Sequence, residues 1–194
     1  MRLFVAIDLE EDLREKIATY IQGLQGFAPE ARWASPQSLH LTLKFIGEQT
    51  EQETERIAPA LASIQVTPFT LQFRGYGFFP NPKRARVFWL AIEAPAELAN
   101  LAEKVDASLM TMGLPREEHS YSPHLTLARS GSGAPRLPGE TAATPKFQRL
   151  QERLLALPLP DFGTMTARQF FLYQSKLSPE GSHYTKLAGF KLSD

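Results

Sequence analysis

The sequence predicts an α+β fold built mainly from antiparallel or mixed sheets. Two observations carry that reading. Strand-like and helix-like runs alternate, but the connections are varied and several strands look hairpin-linked, unlike a doubly wound parallel sheet. In addition, one tetrapeptide occurs in each half of the chain, which suggests two related halves folded against one another.

The elements follow in order. Leu3 to Asp8 is rich in Phe, Val and Ile and reads as a buried strand. Glu10, Glu11 and Asp12 suit the positive dipole end of a helix, and Leu13, Ile17, Tyr20, Ile21 and Leu24 continue it at helical spacing. Thr50 and Glu53 form a Thr-x-x-Glu capping box ahead of Ile57, Leu61 and Ile64. A third helix starts at Pro95, turns Leu98, Leu101, Val105 and Leu109 inward, and stops near Gly113. A fourth is expected with Thr144 as N-cap, Pro145 in its first turn, and Phe147, Leu150 and Leu154 as inner residues. Strands are expected at about 39–46, 69–79, 86–92, 124–129, 164–173 and 184–191. No glycine-rich phosphate loop of dinucleotide or P-loop type is present. The Ser-, Gly- and Pro-rich stretch 130–139 is either a plain connector or a mobile loop on the substrate side.

Composition bounds the function. The 194 residues make one ordinary domain or two small lobes sharing a core. Lys plus Arg and Asp plus Glu are both 21, so a uniformly basic coat for nucleic acid is excluded and any polyanion must meet a local patch. There is no cysteine, which removes disulfides, thiol catalysis and thiolate metal sites. No apolar run approaches the roughly 20 residues that span a bilayer. The opening Met1 to Asp8 is too short and too soon acidic for a signal peptide, so the expected location is the cytoplasm.

The duplicated tetrapeptide is His40-Leu41-Thr42-Leu43 and His124-Leu125-Thr126-Leu127. Residues i and i+2 of a strand share a face. The leucines therefore face the core, and each His shares the opposite face with its Thr. Two halves packed about an approximate two-fold axis would bring two imidazoles and two hydroxyls to one pocket. Imidazole titrates near neutrality, so one copy can act as base while the other acts as acid. The hydroxyls can donate to non-bridging oxygens of a phosphoryl group. In-line attack at phosphorus is the reaction this set suits, with no metal, thiol or cofactor. The spacing does not say which His is the acid.

At these residues the chain resembles the two-histidine phosphoesterases, and among them the bacterial and archaeal RNA 2′,3′-cyclic phosphodiesterases. The likeness covers nearly the whole chain. It runs through Arg2 to Ile7, Arg32-Trp33, Leu39 to Gly47, Pro123 to Arg129, Tyr173-Gln174-Ser175 and Tyr184. The resemblance implies a single bilobal α+β domain over 1–194, with pseudo-two-fold symmetry, helices packed on the outside and both motifs lining a central groove. It implies His40 as general acid on the leaving 3′ oxygen and His124 as the base that activates water. Thr42 and Thr126 would hold phosphate oxygens, and Arg129 would contact the phosphate. The implied substrate is RNA with a 2′,3′-cyclic phosphate end, tRNA fragments among the candidates, with no cofactor, no metal and no membrane partner. DNA is excluded, because the 2′ oxygen belongs to the scissile group. The rivals are a non-catalytic RNA- or nucleotide-binding module, and the reverse reaction joining ends through a 2′-5′ linkage.

Other residues are weighed against plain structural roles. His119 and His183 read as solvated surface residues, the latter in a turn; a zinc site joining either to His40 and His124 lacks ligand spacing. Lys83, Arg84 and Arg86 are either a phosphate-tracking rim or a solvated hairpin tip. Phe88 and Trp89 are expected in the core. Trp33, next to Arg32, is undecided between core and base stacking. Phe45, in alternation with Leu41 and Leu43, is expected to pack, although the end of a strand could also touch a base.

Overall fold

Strand β1 (Arg2–Asp8) buries Leu3 through Ile7 without a break. Such a run is buried on both faces. Leu3, Val5 and Ile7 join the main core, while Phe4 and Ala6 form a separate small cluster with Tyr173 on the other face. The computed structural model describes residues 1–130, 147–178 and 181–193. Within them the further strands are β2 (Ala31–Trp33), β3 (His40–Glu48), β4 (Phe69–Phe79), β5 (Val87–Glu93), β6 (His124–Ser130), β7 (Asp161–Ala167), β8 (Gln169–Ser178) and β9 (Gly181–Lys191).

They form two sheets, ordered β3-β1-β8-β9 and β2-β6-β5-β4-β7, with every pairing antiparallel. The orders show the duplication directly. The unit β6-β5-β4-β7 repeats the plan of β3-β1-β8-β9, and β2 is an added edge strand. Each sheet nonetheless draws on both halves of the chain: β1 and β3 pair with β8 and β9 from its C-terminal end, and β4 and β5 pair with β6 and β7.

The helices are α1 (Glu11–Leu24), α2 (Glu51–Ala62), α3 (Ala96–Met110) and α4 (Gln148–Leu155). Their inner residues are those the spacing selects: Leu13, Ile17, Ile21 and Leu24; Ile57 and Leu61; Leu98, Leu101, Val105 and Leu109; Leu150 and Leu154. They meet the leucines of both sheets in one continuous core. The Thr50–Glu53 capping box is formed in both directions. Gly113 follows α3 at φ +85°, the left-handed conformation that ends helices and favours glycine. Helix α4 begins at Gln148 with Phe147 at its N-cap, later than the start expected from Thr144 and Pro145; those two residues and the Ser/Gly/Pro stretch after Ser130 lie outside the described residues.

Two expectations need correction. The run 164–173 is two strands: β7 ends at Ala167 in one sheet, and β8 begins at Gln169 in the other. Continuous β propensity conceals a change of sheet. The three-residue β2 is too short to show alternation and was not expected from the sequence. It also crosses the halves, because it lies in the first half of the chain yet pairs with β6.

Candidate active site

His40 and His124 each open a strand, β3 and β6. The two strands share one burial pattern through their first six positions. The His and Thr are half-buried, both leucines and the fifth residue are buried, and the sixth residue is exposed. The shared cause is a bulge at the same place in each. Val5 and Ala6 pair with Lys44 and Thr42, skipping Leu43; Phe88 and Trp89 pair with Ala128 and Thr126, skipping Leu127. One extra residue reverses the alternation that follows. The fifth residues, Lys44 and Ala128, therefore turn inward. The sixth, Phe45 and Arg129, share the face of the His and Thr. Phe45 is 64% exposed, which overturns its expected packing.

His40 sits in an aromatic cage. Its ring lies 4.7 Å from Phe4, 6.1 Å from Tyr173 and 5.1 Å from Tyr184, the last edge-on. Burial in that cage lowers its pKa to about 4, against smaller opposing effects from a hydrogen bond to the Ser38 backbone and from the Asp8 carboxylate. His40 is therefore neutral at pH 7. Asp8, directly across the β1–β3 ladder, ion-pairs with Arg14 and Lys186. Arg14 is almost fully buried and also donates to the carbonyls of Pro36 at 2.7 Å and Leu39 at 3.1 Å. It thereby pins the residues leading into His40.

His124 has a comparable setting on the other sheet. Its ring meets Phe79 edge-on at 5.0 Å and Trp89 at 6.2 Å, and those two stack at 4.9 Å. Trp89 lies flat over Gly77, where a Cβ would stand 2.2 Å from the indole, so only glycine fits beneath it. Nδ1 of His124 is 2.8 Å from the Ser122 carbonyl oxygen. A carbonyl only accepts, so Nδ1 carries the proton, and the neutral ring offers Nε2 as a base. Each imidazole thus hydrogen-bonds to the backbone of the serine two residues before it.

Several contacts join the two motif strands. The Tyr121 hydroxyl donates to the Thr42 carbonyl at 2.8 Å, across the segment leading to His124. Lys44 instead ties β3 to α3 through Asp106 and donates to the Pro115 carbonyl, in the segment after that helix, at 2.9 Å. β2 pairs with β6 immediately before the chain turns into β3, and Ala34 N donates to the Leu127 carbonyl at 2.8 Å. β3 and β6 also touch each other directly. Among the described residues, no three His, Asp or Glu side chains converge as a metal site would require.

The family model described as LigT like Phosphoesterase matches residues 7–89 and again 90–184, with one His-x-Thr motif in each match. The chain belongs to the LigT-like phosphoesterase family. Two curated relatives carry the name RNA 2′,3′-cyclic phosphodiesterase. The one from Archaeoglobus fulgidus is 33% identical over 98% of this chain and 100% of its own length. The one from Methanothermobacter thermautotrophicus is 32% identical over 99% of each. Among solved structures, E. coli LigT complexed with 3′-AMP superposes with a TM-score of 0.78 at 28% identity, covering 100% of this chain and 98% of that one. A protein of Thermus thermophilus gives 0.75 at 30% identity, covering 99% and 98%.

Within this LigT-like phosphoesterase the other expected residues fall as follows. His119 and His183 are exposed; His183 lies in β9 rather than in a turn, 3.1 Å from the Ser178 hydroxyl. Phe88 is buried as expected, but Trp89 is only half-buried and stands on the His124 face. Trp33 packs edge-on against Phe88 and donates to the Ala28 carbonyl at 2.9 Å, which decides it for the core. Lys83 and Arg84 sit in a 3-10 turn at an exposed tip. Arg86 is exposed and precedes β5, whose next residue, Val87, lies across from Arg129. Asp8, Arg14, Tyr121, Tyr173 and Tyr184 had no assigned role in the sequence reading. The last two lie within the stretches that carry the resemblance; the first three had no pattern to mark them.

Proposed function

We propose that this chain hydrolyses 2′,3′-cyclic phosphate ends of RNA to 2′-phosphomonoesters, by acid–base catalysis between His40 and His124 and without a metal. The single observation behind the reading is the doubled motif strand: the same His, Thr and bulge, on symmetry-related strands, in a family whose curated relatives carry that activity in their names. Water attacks phosphorus in line with the 3′ oxygen, and Nε2 of His124 takes its proton. The P–O3′ bond breaks, and His40 protonates the departing oxygen. The product carries a 2′-phosphate and a free 3′-hydroxyl. Thr42, Thr126 and Arg129 hold the non-bridging oxygens as charge redistributes among them.

One feature of the site constrains this scheme. Burial holds His40 neutral at pH 7, so its acid form must be created by binding. Lowering its pKa from 6.5 to about 4 corresponds to ~3 kcal/mol against the charged ring. A unit negative charge about 4 Å away, at an effective dielectric of about 20, is worth roughly 4 kcal/mol in the opposite sense. The cyclic phosphate's own charge is thus of the same size as the penalty it would have to offset to load the acid. RNA is the reading's substrate because only a ribose supplies the 2′ oxygen; fragments such as cleaved tRNA present such ends.

The test is incubation with the four nucleoside 2′,3′-cyclic phosphates in EDTA, with the product isomer identified. Turnover to the 2′-phosphate in chelator is the expected result. Loss of turnover in EDTA, or binding with no hydrolysis, would replace the reading with a metal enzyme or a binding module.

A further inference from the structure

β2 and β6 place Arg32 directly opposite Arg129. Residues paired across an antiparallel ladder share a face, with Cβ atoms about 5 Å apart, and like charges there are destabilising. The face is that of His124 and Thr126, because Val87 and Trp89, two residues apart on β5, lie across from Arg129 and Thr126. Both arginines are exposed, and among the described residues neither makes an ion pair. Their neighbours explain nothing about the pairing. Ala31 and Trp33, on either side of Arg32, are half-buried, and Trp33 is held by its own hydrogen bond and ring contact. Two guanidinium groups held side by side become favourable only when an anion stands between or along them.

One arginine is already engaged if Arg129 holds the scissile phosphate. Arg32 then lies one strand spacing, about 4.8 Å, further toward the edge of the sheet. There it meets whatever continues from the reacting nucleotide. In an RNA end that is the phosphodiester on the 5′ side of the terminal nucleoside; a mononucleotide has nothing at that place. We propose that Arg32 is a binding residue for this penultimate phosphate, and that it makes the protein prefer an RNA end over a free nucleoside 2′,3′-cyclic phosphate. The proposal rests on the functional reading above.

The experiment compares the wild-type protein, Arg32→Ala and Arg32→Lys on adenosine 2′,3′-cyclic phosphate and on the dinucleotide ApA bearing the same cyclic end. The wild type is expected to show the lower KM for the dinucleotide. Arg32→Ala should shrink the dinucleotide-to-mononucleotide ratio of kcat/KM about tenfold, and Arg32→Lys should shrink it less, because a lysine keeps the charge but not the fork. The salt dependence of dinucleotide binding should lose about 0.7 from its log–log slope. A dinucleotide with a neutral methylphosphonate linkage should reproduce the Arg32→Ala ratio in the wild-type protein. A purely structural role would lower both substrates together and leave the ratio where it was, which overturns the proposal. Affinity for the two 2′-phosphate products, ApAp and adenosine 2′-phosphate, reads the same ratio without turnover. A protein that hydrolyses neither substrate would sink the functional reading, while the product ratio would still decide the Arg32 subsite.

Discussion

The two motif strands have one backbone and two chemistries. β3 and β6 agree in the His and Thr, in the bulge at the fourth position, in the inward fifth residue and in the backbone partner of the imidazole. They differ where the outward sixth residue is Phe45 in one and Arg129 in the other, and where the inward fifth is Lys44 in one and Ala128 in the other. The two strands keep one backbone and differ in what they present outward and inward. The β3 side is enclosed by Phe4, Tyr173 and Tyr184 and presents an aromatic; the β6 side presents a cation.

The largest effect should come from erasing the shared part. His40→Ala and His124→Ala are each expected to reduce turnover of a nucleoside 2′,3′-cyclic phosphate by about 10²–10⁴. The double variant should lose far less than the product of the two, because an acid and a base that act in one step are not additive. Steady-state rates of the three proteins check this, and a single variant with full activity would remove the pair from the mechanism.

Next comes the inward fifth position. Lys44 is almost fully buried and held by Asp106, whereas its counterpart Ala128 carries no charge. Lys44→Ala removes the buried partner of Asp106 but leaves Arg116 and the Glu117 N–H beside its carboxylate, so in a urea melt it is expected to cost less than the about 3–5 kcal/mol of a fully orphaned buried charge. Replacing both, as Lys44→Met with Asp106→Leu, should recover much of that loss. A single variant as stable as the wild type would show that this ion pair between β3 and α3 adds nothing to stability.

The smallest effect is the most diagnostic of the difference between the histidines. Because burial keeps His40 neutral down to about pH 4, the unfolded chain takes up a proton between pH 6.5 and 4 that the folded chain refuses. Stability attributable to His40 is therefore full above pH 6.5 and is lost as the pH falls across that window. His40→Gln should flatten this part of the stability curve relative to the wild type. The same pKa should appear as a limb of kcat/KM near pH 4, and that limb should move to higher pH in kcat, because the bound anion favours the protonated ring. Equal limbs in both profiles would mean that substrate does not load the acid.

The extent to which this was legible follows from the range of each interaction. The α2 capping box, the inward faces of the helices and the core leucines of both motifs are set by neighbours within a few residues, and all are as the residue order implies. Phe45 was misjudged because strict alternation has no way to register a bulge, which arises from how Val5 and Ala6 pair on a different strand. Trp89 was misjudged because both faces of β5 are apolar, so its order does not say which one meets a core. The cage around His40 was invisible for a related reason: Phe4, Tyr173 and Tyr184 come from β1, β8 and β9, and only sheet pairing brings them to one ring.

The order of amino acids was enough to establish two imidazole–hydroxyl pairs, each on the face of a strand opposite its leucines, since that depends only on the pleat. It also sufficed for an α+β chain in two related halves. Long-range pairing alone decided that the sixth residue of each motif turns outward, that one imidazole is held neutral by three aromatic rings, and that Arg32 stands beside Arg129. Those outcomes depend on partners far along the chain, and a ladder's register is a property of two strands together, not of either one.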